Sequence, residues 1–185
     1  MKRFLQYPFL VYFLLFSFHY LLVAQDLEIL KQVGGSGSVG AGNTIRDSAG
    51  NHIVCFSFNG EIDFNLGNTP SVLNTSGYAN LAIAKYDSSY NLLWIKQLVS
   101  DSVIRLNRVV LDNNENIIIS GSFTKDTDFN PSENEEYILS VSSNYSLQSF
   151  ILKLDNKALL FGQEKLLIQI CLYHFQIFKL MNLIT

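Results

Sequence analysis

Between residues 45 and 160 the chain alternates short apolar runs with clusters of Asp, Asn, Ser and Gly. "HIVCFSF" (52–58), "LAIAKY" (81–86), "LLWIKQL" (92–98), "NIIISGSF" (116–123) and "FILKL" (150–154) are rich in β-branched and aromatic residues. Runs of this length, bounded by turn formers, predict strands rather than helices. In "LAIAKY", Leu81, Ile83 and Lys85 fall on one face, and Ala82, Ala84 and Tyr86 on the other. A strand apolar on both faces is expected to be covered on both. "DSAGN" (47–51) and "DNNEN" (112–116), with "SSY" (88–90), read as turns. Asp and Asn there can bond their own backbone and tolerate left-handed conformations. No sustained helical period occurs before residue 158, so the expected fold class is all-β.

The pattern repeats. "IRDSAGNHIVCFSFNGEIDFN" (45–65) lies on "VLDNNENIIISGSFTKDTDFN" (110–130) without a gap, with eight identities in twenty-one positions. Asp47 matches Asp112, Asn51 matches Asn116, and Phe58 matches Phe123; Asp63-Phe64 match Asp128-Phe129. The same shift of 65 lays "ILKQV" (29–33) on "WIKQL" (94–98), which includes Trp94. A shift of 68 lays "IAKYD" (83–87) on "ILKLD" (151–155). Each unit is expected to hold four strands, with "YILSV" (137–141) a fifth if it pairs separately. Tandem four-stranded units point to blades of a β-propeller.

The two ends differ from this middle. Met1 to Gln25 has two basic residues, then an apolar block from Pro8 to Val23, then Ala24 before polar residues. That order describes a secretory signal peptide, residues 1–24, and the block is short for a membrane span. The expected organisation is therefore 1–24 signal peptide, 27–98 first unit, 99–160 second unit, and 161–185 a hydrophobic tail. The tail is expected to be irregular or helical, or a truncated end, with membrane contact as a further reading. Only two cysteines occur, Cys55 and Cys171, and their placement leaves pairing open.

From Gln25 to Ala158, fifteen acids face nine Lys and Arg, and the basic residues are scattered. Phosphate backbones are held by clustered cations, which argues against a nucleic-acid partner.

The order K-Q-x-G-G, D-x-x-G-N, G-x-F-x-x-x-x-D-F-[ND], [FI]-x-x-K-[LY]-D and L-x-W-x-K resembles the bacterial exported β-propeller repeat, the SBBP-type repeat. It is carried by Lys31 to Gly35, Asp47 with Gly50-Asn51, Gly121 to Phe123 with Asp128 to Asn130, Ile151 with Lys153 to Asp155, and Leu92 to Lys96. The resemblance spans about residues 27–160. It implies a secreted or surface propeller of two blades, incomplete beside the four to eight of a closed ring, and implies no particular catalytic activity.

The recurring acids are the candidate chemistry. A catalytic pair needs two differently tuned groups facing one substrate. Asp63 and Asp128 instead hold equivalent places in successive units, which predicts a scaffold role: carboxylate on backbone amides, Phe64 and Phe129 between sheets. Calcium is the weaker alternative. Asp126, Asp128 and Asn130 occupy calcium-loop positions 1, 3 and 5, but Pro131 stands where glycine is needed and Tyr137 where Glu is needed. Asp112, Asn114 and Asn116 also alternate. Gly35 to Gly40 satisfies G-x-G-x-x-G, yet no helix pattern follows to receive a pyrophosphate; a flexible inter-strand loop is expected there. His52 and Cys55 should point to opposite faces of one strand, unable to share an ion. No catalytic residue and no cofactor is expected.

These readings converge on an exported, non-catalytic binding or structural protein, a fragment of a longer propeller, at the cell envelope or outside the cell. Fold analogy suggests a protein or glycan partner, and open sheet edges suggest self-association. The competing readings are a piece of a glycan-active propeller enzyme and a calcium-stabilised adhesion module.

Overall fold

The computed structural model describes residues 32–75, 78–132, 135–141 and 147–160, and the backbone of 167–170. The signal segment 1–24, the rest of the tail and Cys171 lie outside these residues. Twelve strands and no helix occur among the described residues. In chain order they are β1 (Ser38–Arg46), β2 (His52–Asn59), β3 (Glu61–Asp63), β4 (Val72–Asn74), β5 (Asn80–Tyr86) and β6 (Leu92–Ser100). Then come β7 (Ile104–Leu111), β8 (Ile117–Phe123), β9 (Thr127–Asp128), β10 (Ile138–Leu139), β11 (Gln148–Leu154) and β12 (Leu167–Ile170). All listed ladders are antiparallel and no sheet closes on itself.

Sequence neighbours pair first. One sheet runs β1-β2-β5-β6 and the other runs β7-β8-β11-β12. A small hairpin leaves each sheet after its second strand, β3-β4 in the first and β9-β10 in the second. The last residues of β6 catch the second hairpin through Val99↔Asp128 and Ser100↔Thr127, which extends the first sheet to six strands. Sixty-five residues earlier, Gly34 bridges Asp63 in the same manner.

Side-chain alternation decides how the sheets stack. Ile53, Cys55, Leu81, Ile83 and Leu98 join Ile104, Val109, Ile119, Phe123, Phe150 and Leu152 of the second sheet in one buried core. The opposite face of the first sheet carries a second cluster, with Phe56, Phe58, Ala82, Ala84 and Tyr86 around Ile62 and Phe64 from the hairpin. Each buried Leu, Ile or Phe is worth about 1.5–3 kcal/mol, so stacking through both faces of the first sheet is a large stabilising term. The expected division of "LAIAKY" between two faces is what places Leu81 and Ile83 in one core and Ala82, Ala84 and Tyr86 in the other.

Three expectations need correction. Gly35–Gly37 bend, but the chain from Ser38 onward is the edge strand β1 rather than a loop. Its glycines serve close approach: a Cβ on Gly35 would stand 2.3 Å from the Glu61 carbonyl oxygen, and one on Gly37 would stand 2.1 Å from that of Asn59. Each half also holds more strands than four, because the short hairpins pair separately; part of "YILSV" is β10. In the tail, Leu167–Ile170 form a strand on the edge of β11 instead of a helix. An open ladder offers that segment main-chain partners that a helix would not use.

Candidate functional site

Four hairpin turns share one construction. The amide of Asp47 donates to the Asn51 carbonyl, and Asp87, Asp112 and Asp155 do the same toward Asn91, Asn116 and Leu159. The residue three places after each Asp donates its amide back to the Asp carbonyl. That residue sits at positive φ in all four: Gly50 at 84°, Tyr90 at 65°, Glu115 at 62° and Ala158 at 58°. The pattern fits the three-residue hairpin loop that ends in a left-handed residue. The Asp side chain closes it: Asp47 Oδ1 accepts from the Asn51 amide and Oδ2 from the Asn51 side chain, both at 2.8 Å.

In two of these turns a lysine completes the site. Lys85 Nζ reaches Asp47 Oδ2 at 2.8 Å, and Lys153 Nζ reaches Asp112 Oδ2 at 2.7 Å. Burial pushes both carboxyls up, but the hydrogen bonds from lysine and from Asn51 or Asn116 outweigh it and hold each at about 2. Both acids are ionised turn braces at neutral pH.

The acids of the small hairpins are likewise engaged. Asp63 Oδ1 accepts from the amides of Asn65 (2.9 Å) and Ser71 (2.8 Å); Asp128 Oδ1 accepts from those of Asn130 (2.9 Å) and Tyr137 (2.8 Å). One carboxylate oxygen thus ties both ends of each hairpin loop. The phenylalanines that follow are fully buried. Phe64 lies edge-on to Phe58, and Phe129 edge-on to Phe123. Tyr86, whose hydroxyl donates to the Phe64 carbonyl at 2.7 Å, is pushed up to about 12 by burial and by the Asp63 charge.

The remaining calcium candidates do not gather. Asp126 accepts from the Ser140 hydroxyl and the Val141 amide, Asn130 Oδ1 accepts from the Ser132 amide, and the Asn114 amide donates to Asp112. Among the described residues no three His, Cys, Asp or Glu side chains form a group able to hold a metal ion. His52 stacks on Tyr90, while Cys55 is buried in the inter-sheet core and its thiol is pushed far up by burial. Trp94 packs at the margin of that same core.

A concavity that no motif announced lies where the two sheets meet. Ser38, Ser57, Asn59, Tyr78, Arg105 and Leu106 line an open groove of about 410 Å³. Ser57 forms its seam: the hydroxyl donates to the Ile104 carbonyl at 3.0 Å and accepts from the Leu106 amide at 3.2 Å. Tyr78 is 72 % exposed, and its carbonyl is held by the Asn59 side-chain amide. Arg105 stands exposed on the facing strand. The recurrence of Ser57-Phe58 as Ser122-Phe123 was the only trace of this seam in the sequence. Compared with family models, curated proteins and solved structures, the chain matches none.

Proposed function

We propose that this chain is an exported, non-catalytic binding or structural protein, built from two β-propeller-type units of the SBBP kind and acting at the cell envelope or beyond it. The observation that carries the reading is the equivalence of Asp63 and Asp128. Both occupy the same place in successive hairpins, and each offers one oxygen to two backbone amides. Carboxylates so used brace a fold, which leaves recognition rather than catalysis as the work of the surface.

The inter-sheet groove is the contact site in this reading. The exposed ring of Tyr78 suits the apolar face of a sugar, while Arg105, Ser38 and Asn59 bring polar groups to the rim. A glycan is therefore the favoured ligand class. Binding of the purified chain to an array of envelope and extracellular glycans tests it. Tyr78→Ala and Arg105→Ala should each weaken binding at least tenfold with an unchanged melting temperature. Full retention of binding by both variants would remove the groove from the proposal, and hydrolysis of any arrayed glycan would replace binding with catalysis.

A further inference from the structure

The second sheet is docked on the first through a small set of contacts at the start of β7. Ser57 bonds Ile104 and Leu106, as described above. Beside it, the Ala79 amide donates to the Ser102 carbonyl at 3.0 Å, and the Ile104 amide donates to the Ala79 carbonyl at 3.2 Å. Ile104 and Val109 are buried by this docking, at 0 % and 3 % exposure.

Every partner in that joint has a counterpart elsewhere in the chain. On β1, Val39 and Ala41 stand 65 residues before Ile104 and Leu106, and Thr44 stands 65 before Val109. Val39 is 46 % exposed, and Ala41 and Thr44 are exposed as well. On the far side, Ser122 stands 65 residues after Ser57, and Leu147 stands 68 after Ala79. Leu147 is 43 % exposed. Ser122, although mostly buried, has no hydrogen-bond partner among the described residues. The chain thus presents one half of its own internal joint at β1 and the other half at the Ser122–Leu147 corner.

We infer that these two halves meet between copies: the Ser122–Leu147 corner of one molecule docks on β1 of a second, head to tail. The Ser122 hydroxyl takes the place of Ser57, donating to the second copy's Val39 carbonyl and accepting from its Ala41 amide. Leu147 takes the place of Ala79 beside Gly37 and Val39. Such a contact is heterologous, so it propagates until a ring closes or a filament forms. Unpaired strands such as β1 are favoured docking edges. The partner is specified by register, because the sequence that fits is already seated once within the chain.

Light scattering coupled to gel filtration tests the inference on the full chain. The wild type should show mass rising above the monomer between micromolar and submillimolar concentration. Val39→Glu, at an exposed position, should be monomeric; so should Leu147→Lys at the other half. Mixed in equal amounts, the two variants should form a heterodimer and nothing larger, since only one intact joint remains. A circular dichroism melt of each variant guards against misfolding, and Ser122→Ala should weaken assembly without altering the melt. A monomeric wild type at every concentration would overturn the proposal. So would assembly that Val39→Glu abolishes and Leu147→Lys leaves intact, with no heterodimer in the mixture; that result would indicate β1 pairing with β1.

Discussion

Gly121 faces Phe150 across the β8–β11 ladder, and a Cβ on the glycine would stand 2.6 Å from the ring and 2.2 Å from the Arg105 carbonyl oxygen. In the first sheet the corresponding pair is reversed, with Phe56 opposite Ala82. The aromatic has moved from the second strand to the third, yet it meets the same neighbour: Phe56 stacks on Phe64 at 5.3 Å, and Phe150 packs on Phe129 at 4.7 Å. Volume is conserved across the ladder although neither position is. Gly121→Ala should destabilise by about 3 kcal/mol, at the upper end for overpacking, as measured by urea titration. Phe150→Ala should not rescue it, because the Arg105 carbonyl is backbone and stays where it is.

The turn residues at positive φ predict changes of opposite sign. Gly50→Ala forces a Cβ into the left-handed region and should cost about 1 kcal/mol. Tyr90→Gly relieves the same strain and should gain about 0.5 kcal/mol net of the glycine's greater freedom when unfolded. Thermal melts of the two variants beside the wild type separate the signs.

Acid should act through Asp47 and Asp112. Folding lowers both from an ordinary 3.8 to about 2. A depressed carboxyl contributes stability that is complete above the unfolded value and is lost as pH falls through the folded one. Each should therefore contribute on the order of 2 kcal/mol at neutral pH, disappearing between about pH 4 and pH 2. Asp47→Asn and Asp112→Asn should each flatten the stability profile in that window, measured by denaturant titration at stepped pH.

Asp128→Ala leaves the amides of Asn130 and Tyr137 without their acceptor. Loss of about 2 kcal/mol is expected, and the loss should be equal in millimolar calcium and in chelator. A calcium-dependent melting shift in the wild type that this variant abolishes would instead assign the carboxylate to an ion.

The buried strands were legible because both faces of β5, β8 and β11 are covered, which leaves continuous β-branched runs with turn formers at each end. β1 was not, for the opposite reason. Its first five residues are exposed, so glycine and serine suffice there and no alternation marks the strand. The Asp and Lys landmarks could be read as recurring, but not as Asp47 with Lys85, since the two positions lie 38 residues apart and join only when β5 returns beside β2. The groove is less legible still. Its lining comes from residues 38–41, 57–59, 78–79 and 103–106, four separate passages of chain whose only shared property is where the sheets place them.

The Ser57 seam has a kinetic consequence. Most ladders here join strands close in the chain, so each sheet can close small loops during folding without waiting for the other. The hydrogen bonds across the joint, from Ser57, from Asn43 to the Val109 amide and from Glu115 to the Ser48 amide, are few and span tens of residues. Amide exchange should accordingly resolve two cooperative blocks, with Leu106 and Val109 losing protection at the joint before the ladders of β2 and β8 release theirs.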